Sequence, residues 1–237
     1  MFYKKINILS LLFPDTCIVC KKPVRISSYA CKRCNDKIEY INPIFKCKTC
    51  LSHIPKSDNR ICGFCLKENP QYSRLISCVA YKGYIKSSLQ AYKFNNRPDL
   101  HIGFSKLACE TLEHDGVYFD AVISMPLHRN KLLERGYNQS ALIAKNIAKH
   151  FEVPFYDDLL IKVKETKTQS ELKYAERRKN IKGAFDVNNP ERINENTILL
   201  VDDIFTTGFT MREAAKTCAP HTDKIIAFTI AKGILEN

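Results

Sequence analysis

The 237-residue sequence predicts an α/β protein, a largely parallel sheet covered by helices, preceded by a small module stapled by metal. Three observations carry this reading. After residue 70, short apolar runs alternate with stretches of helical period, the pattern of a buried parallel sheet. One run, Thr197 to Val201 (TILLV), reads as a central strand and leads straight into two aspartates. Before residue 70, eight of the eleven cysteines form four C-x-x-C pairs. The length suits one full domain, residues 71–237, with an appendage, residues 1–70, and not two large domains. At 45% hydrophobic and 26% charged residues, a disordered or collagen-like chain is excluded. No apolar run is long enough for a membrane-spanning helix.

Met1 to Phe13 carries Lys4 and Lys5 and then Ile6, Ile8, Leu9, Leu11, Leu12 and Phe13, in the manner of a signal peptide. Asn7 and Ser10 interrupt the apolar stretch and no small-residue cleavage site follows, so a short amphipathic lead-in helix and a cytoplasmic protein are expected.

Cys17/Cys20, Cys31/Cys34, Cys47/Cys50 and Cys62/Cys65 each offer two thiolates from one tight turn, half of a tetrahedral Zn²⁺ site. Disulfides would suit a secreted mini-domain, but an enzyme-sized chain without a convincing signal peptide belongs in a reducing compartment. Four such pairs also exceed what a thioredoxin-like redox site uses. Spacers of ten, twelve and eleven residues between successive pairs leave the pairing open. Two sequential ribbons, 17/20/31/34 and 47/50/62/65, are simplest; cross-bracing, or one filled and one degenerate site, are the alternatives. His53 reads as a surface residue. With few large aliphatics, the segment needs such staples to fold. Thirteen of the basic and five of the acidic residues lie before residue 71, against a net charge of +12 for the chain. Two four-thiolate zinc centres would cancel half of that local excess, so charge alone does not argue for nucleic-acid binding.

Leu75 to Tyr81 reads as a strand, and Ile85 to Phe94 and Leu100 to Glu113 as helices. Ala121 to Met125 is a buried strand ending at Pro126. Ile143, Ile147 and Phe151, with Ala144 and Ala148, recur at helical spacing and predict a helix over Gln139 to Phe151. Leu159 to Val163 is another strand, and the polar Lys164 to Gln169 a mobile loop. Thr210 opens a helix to about Ala219, with Glu213 placed for a capping box, and Lys224 to Ile230 is the last strand. Cys78, Cys109 and Cys218 lack ligand spacing and read as small buried hydrophobes.

The chemistry sits at the end of the central strand. Asp202 and Asp203 stand where the strand meets solvent, followed by a hydroxyl-rich turn, Thr206 to Thr210, and a helix N-terminus. In an open α/β sheet this is the ligand crevice. Backbone N–H groups and the helix dipole suit a phosphate, Gly208 allows close approach, and the threonines add hydroxyl donors. The aspartates would repel that phosphate and so face sugar hydroxyls or a hydrated Mg²⁺. The stretch is neither a Walker A loop nor a GxGxxG turn. It resembles the phosphoribosyl-pyrophosphate (PRPP) motif of type I phosphoribosyltransferases. Pro126-Leu-His128, Arg135-Gly-Tyr-Asn-Gln139, Thr166-x-x-Gln169 and Glu176-Arg177-x-x-Asn180-x-x-Gly-Ala-Phe185 follow tandem C-x-x-C pairs in an order that resembles the ComF family over nearly the whole chain. Lys164 stands where relatives often carry Arg, keeping the charge but losing bidentate geometry. Phe209 stands where Ala is common.

The resemblance implies a type I phosphoribosyltransferase-like domain behind a double zinc ribbon, with structural Zn²⁺ and with Mg²⁺ accompanying PRPP. It implies that Asp202 and Asp203 engage the ribose hydroxyls, and Thr206, Thr207, Gly208, Phe209 and Thr210 the 5′-phosphate. Pro126, Leu127, His128 and Arg129 would hold pyrophosphate, with Arg135 lending positive charge, and Lys164, Thr166 and Gln169 would belong to a lid. Plainer roles compete: His128 and Arg129 as turn residues, Arg177, Arg178 and Lys179 as a solvated helix face. Tyr81 and Lys93 fall in family-like positions without reading as site residues. No segment for reading an acceptor base is evident. Three functions fit. One is a phosphoribosyltransferase of unassigned acceptor. Another is a protein of natural transformation that handles incoming single-stranded DNA with the uptake machinery at the inner membrane. The third is a PRPP-sensing regulator or nucleic-acid binder without turnover. The first two are compatible, and a PRPP-binding protein of the competence type is the expected function.

Overall fold

The computed structural model describes residues 15–25, 28–54, 60–166 and 174–234. The lead-in helix expected over Met1 to Phe13 lies outside these residues, as does Gln169. Strands β1 (Arg74–Ala80), β2 (Ala121–Ser124), β3 (Phe155–Tyr156), β6 (Thr197–Phe205) and β7 (Lys224–Lys232) pair in parallel in the spatial order β1-β7-β6-β2-β3. A second, antiparallel pair joins β4 (Leu160–Lys162) to β5 (Phe185–Val187). The helices are α1 (Lys32–Asn35), α2 (Gly63–Glu68), α3 (Gly83–Phe94), α4 (Leu100–Asp115), α5 (Arg129–Arg135), α6 (Gln139–Phe151), α7 (Tyr174–Ile181) and α8 (Phe209–Cys218).

Successive strand side chains point to opposite faces, and this alternation divides the core in two. Leu199 and Val201 of β6, with Ile226, Phe228 and Ile230 of β7, pack with Leu89, Phe104, Ile143 and Ile147 from α3, α4 and α6. Ile198 and Leu200, with Ile225 and Ala227, pack with Met211, Ala214, Ala215 and Cys218 of α8. The central strands are therefore buried on both sides, which is why they read as continuous apolar runs.

The cysteine-rich segment is built into both layers. Ile18 and Ile38 belong to the first core, and Leu51 and Ile54 to the second. Ile18 approaches α4 so closely that a Cβ on Gly103 would lie 2.4 Å from Ile18 Cγ2. The outer edge of β1 is covered by the same segment: Ala80 N–H donates to Glu39 O (2.8 Å) and Ile41 N–H to Cys78 O (2.9 Å), so the edge offers no free ladder.

Two local expectations differ from the structure. The strand expected over Leu159 to Val163 does not join the main sheet; it is a three-residue segment, exposed at Ile161, that pairs with β5 instead. The capping box expected at Thr210 and Glu213 does not form. Helix α8 starts at Phe209, its N-cap is the left-handed Gly208 (φ 77°), which has no side chain to cap with, and Glu213 accepts a hydrogen bond from Gly183 N–H at 2.7 Å.

Candidate functional site

The eight paired cysteines gather as two sequential groups, Cys17/Cys20/Cys31/Cys34 and Cys47/Cys50/Cys62/Cys65, with all sulfurs of a group within 4.8 Å of one another. None is in a disulfide. Tetrahedral zinc–thiolate bonding sets neighbouring sulfurs about 3.8 Å apart; Cys20 and Cys31 Sγ stand at 3.9 Å and Cys50 and Cys62 Sγ at 3.6 Å. Backbone N–H groups point at the sulfurs, from Cys31 to Cys17 Sγ (3.5 Å) and from Cys62 to Cys47 Sγ (3.3 Å), the outer support a thiolate ligand needs. The residues fit structural Zn²⁺ at both places, and His53 lies exposed outside the second group.

The second site lies at the carboxyl end of β6, which runs on past Val201 through both aspartates, pairing Asp202 with Thr229 and Phe205 with Lys232. Asp203 is buried and ion-paired with Lys93 Nζ at 2.8 Å. Asp202 Oδ1 accepts from Ser140 Oγ at 3.0 Å and from Asp203 N–H at 2.8 Å. Burial and the neighbouring Asp203 charge push the Asp202 carboxyl up to about 7, against the pull of Lys93 and these two hydrogen bonds. The turn that follows wraps the Phe205 ring so tightly that a Cβ on Gly208 would lie 2.3 Å from Phe205 Cζ. A shallow open depression results, lined by Asp202, Ile204, Phe205, Thr206, Gly208, Thr210 and Met211. Thr206 is exposed, and Thr207 Oγ1 is buried without a hydrogen-bond partner among the described residues. Phe209 turns its side chain into the second core, which leaves only its backbone to face a ligand.

The loop after β2 leads to α6, whose Ser140 meets the end of β6, while Pro126 to Arg129 do not line the depression. Asn138 caps α6, accepting from Ser140 N–H (3.0 Å) and Ala141 N–H (3.3 Å), and donates its amide to Met125 O at 3.0 Å. This sets Ser140 against Asp202. Arg135 donates to Gln139 Oε1, and its guanidinium stands 5.3 Å from the Phe94 ring centroid. Gln139 is buried with Nε2 unpartnered, and Ser124 Oγ at the end of β2 is likewise buried and unpartnered. Pro126 and Leu127 are half-covered, His128 caps α5 by accepting from Asn130 N–H at 3.4 Å, and Arg129 is exposed. The capping role is the plain one expected for a turn histidine. Lys164 is exposed, Thr166 is buried, and Glu165 between them accepts from Asn130 Nδ2 at 3.1 Å. Arg178 is exposed yet ion-paired with Glu68 of α2 at 3.1 Å.

Three site residues went unread in the sequence: Ser140, Lys93 and Lys162. Burial, then the charge of Lys131, brings the Lys162 amine down to about 8, with Asp202 opposing. Ser140 and Lys93 meet the aspartates from α6 and α3, and Lys162 of β4 lies within electrostatic reach of Asp202. Only Lys93 is marked in the sequence, by its position.

Residues 138–233 match the family model of the phosphoribosyl transferase domain, and residues 8–66 that of the double zinc ribbon domain. Competence protein F of Haemophilus influenzae is 27% identical over 211 residues, 86% of this chain and 90% of that one. DNA utilization protein YhgH of Escherichia coli K12 is 26% identical over 215 residues, 87% and 91%. Competence protein ComFC of Bacillus subtilis is 27% identical over 192 residues, 72% and 76%. Among solved structures, an adenine phosphoribosyltransferase from Thermoanaerobacter pseudethanolicus is similar with a TM-score of 0.35 at 17% identity, over 56% of this chain and 70% of that one. The chain thus carries a phosphoribosyl transferase domain behind a double zinc ribbon, and competence and DNA-utilization proteins are similar to it across most of its length.

Proposed function

We propose that the cleft at the end of β6 binds Mg²⁺-PRPP and that the protein is a phosphoribosyltransferase acting in natural transformation, on the cytoplasmic side of the inner membrane, where single-stranded DNA arrives. The observation that carries the reading is the junction of β6 and α8, where paired carboxylates, one balanced by Lys93, adjoin a threonine-rich turn at a helix N-terminus. The relatives' names support the DNA-handling half, and the four-thiolate groups support a reducing compartment. In this reading residues 1–70 are the zinc module and 71–237 the reacting domain.

The residues divide the substrate among them. Backbone N–H groups and hydroxyls of Thr206 to Thr210 hold the 5′-phosphate, and Asp202 and Asp203 hold the ribose hydroxyls. The Pro126 to Arg129 loop, with Arg135 and Lys164, faces pyrophosphate, and Thr166 and Gln169 close over it. Lys93 ion-pairs with the buried Asp203 and holds it in place, and Ser140 fixes the Asp202 carboxylate for its hydroxyl partners. Asp202, the carboxylate with no ion pair among the described residues, would hold Mg²⁺, which when bound neutralises charge developing on the departing pyrophosphate. Fixed donors aimed at that charge and exclusion of water lower the barrier to breaking the bond at the anomeric carbon.

Pyrophosphate release from Mg²⁺-PRPP, screened against nucleobases and single-stranded DNA, tests the reading. Release that depends on one acceptor and disappears in Asp203→Asn is expected. Binding without release in every case would assign a PRPP-sensing role instead, and neither binding nor release would end the proposal.

A further inference from the structure

The second zinc ribbon shares a core with the phosphate turn, Cys47, Cys50 and Cys65 packing with Phe205, Phe209 and Met211. Between them lie polar groups that the chemistry above leaves unused. Arg212 of α8 places its guanidinium 4.4 Å from the Phe64 ring centroid on α2 and 5.6 Å from that of Phe209. Its Nε and Nη1 are buried with no acceptor in good hydrogen-bond geometry among the described residues. The hydroxyl of Tyr72 lies within weak hydrogen-bonding reach of the Arg212 side chain, and the Cys50 and Cys65 thiols are near it. Lys232 is 5% exposed, with Nζ donating to Gly233 O at 2.9 Å and standing 5.5 Å from the Phe205 ring centroid, and Cys50, Lys46, Arg212 and Cys62 lie within its reach. Neither Arg212 nor Lys232 is in an ion pair with a carboxylate among the described residues.

Buried cations without a counter-charge are costly, and a zinc held by four thiolates is a compact dianion. We propose that the zinc centre of the second ribbon is the counter-charge that positions Arg212 and Lys232, and through them Phe205 and the first turn of α8, so that zinc occupancy and the shape of the phosphate turn are coupled. Arg212 is a positioning residue: its own N–H donates to Gly208 O at 2.9 Å, and its side chain reaches the ribbon. Among the described residues the first ribbon's Ile18 and Ile38 lie in the opposite core. The ligand half of this inference rests on the PRPP reading; the zinc half does not. If PRPP stiffens the turn, it must hold the second zinc more tightly by the same factor.

Hydrogen exchange across residues 205–213 of the full two-zinc protein, without PRPP, tests the zinc half. Arg212→Gln is expected to raise exchange there and to speed release of one of the two zincs to a chelator by about 10-fold, while Arg212→Lys, which keeps the charge, stays near the starting protein. Cys62→Ser is expected to raise exchange in the same segment, and Cys20→Ser is not. If Cys62→Ser does not fold, the two Arg212 variants decide. Unchanged exchange and zinc release in Arg212→Gln, or equal effects of Cys20→Ser and Cys62→Ser at 205–213, would overturn the proposal. Titration with Mg²⁺-PRPP separates the two readings. Bound PRPP that slows release of the second zinc supports the coupling, and bound PRPP that leaves release unchanged contradicts it. Absence of PRPP binding with zinc-dependent exchange intact would defeat the phosphate assignment while the zinc coupling stands.

Discussion

The first zinc ribbon packs Ile18 into the space over Gly103 and joins α3 through Lys21 Nζ, which donates to Ser88 Oγ at 3.1 Å. The second sets three of its four cysteines in the core beneath the phosphate turn, with Phe205 and Phe209. Both use the same four-thiolate arrangement and the same N–H···S support. What differs is the face of the sheet. The first ribbon reaches the cleft through helices of the first core: α3, whose Lys93 holds Asp203, and α4 with α6, whose Ser140 meets Asp202. The second shares a core with Phe205 and Phe209 of the turn and meets α8 where Phe64 faces Arg212. A small metal-stapled module can thus be a prop for the scaffold or a wall of the site, according to which side of a parallel sheet it lands on.

The largest expected effect, and the one most able to break this comparison, comes from the buried ligands. Cys17→Ser and Cys47→Ser should each lose one zinc and several kcal/mol of stability, since metal binding is folding free energy here. Metal analysis should find about one zinc per chain in each, and only Cys47→Ser should disturb the turn at 205–213 beyond the general loss. Lys93→Met tests the α3 route from the first ribbon. It strands the buried Asp203 charge and should cost about 2–3 kcal/mol in denaturant unfolding, below a fully buried pair because the lysine is partly exposed. The two close glycines sharpen the contrast further. Gly103→Ala and Gly208→Ala should each cost about 1–3 kcal/mol from overpacking. Truncating Ile18 to Ala should relieve the first and not the second, and only the second should weaken ligand binding. Gly208 carries the added strain of φ 77°.

The smallest effect is a pH dependence. Asp202 has a folded pKa of about 7, above the value near 3.9 of an unfolded aspartate. The folded state therefore holds its proton longer, and the stability tied to this group is full below about pH 4 and falls as pH rises to about 7. The gap between about 7 and about 3.9 corresponds to roughly 4 kcal/mol. Asp202→Asn removes that charge strain but weakens the hydrogen bonds from Ser140 and Asp203 N–H. It should therefore flatten that slope and raise the thermal midpoint of the ligand-free protein at pH 8 by a few degrees, on the order of 1 kcal/mol net, while weakening PRPP binding. A stability curve for Asp202→Asn parallel to the wild type between pH 4 and 7 would remove the charge strain assigned to this carboxylate.

Much of this site is written locally, and that part could be read. Strand β6, the aspartates, the threonines and Gly208 are contiguous, so one stretch of chain holds both the apolar run and the chemistry at its end. Lys93 and Asp203 are far apart in sequence, and a lone lysine on an amphipathic helix looks like any solvated one. The same holds for Ser140 and Lys162, which matter only because α6 and β4 bring them to Asp202. The zinc pairing stayed open because the spacers are nearly equal; it is settled by which turns face each other in three dimensions. Strand β4 was legible as a strand but not as a separate ribbon, because a three-residue apolar run carries no information about its partner. Neither did the sequence reveal that the ribbons would share both cores of the sheet, since that depends on single aliphatics such as Ile18 and Ile54 meeting distant helices and strands.

Calorimetric titration of Mg²⁺-PRPP into the zinc-loaded protein, alongside an Asp202→Asn/Asp203→Asn variant, addresses the central assignment most directly. Saturable one-site binding by the wild type, weakened at least about 10-fold in the variant, is the expected result. Binding that is absent from the wild type, or equal in the two proteins, would contradict it.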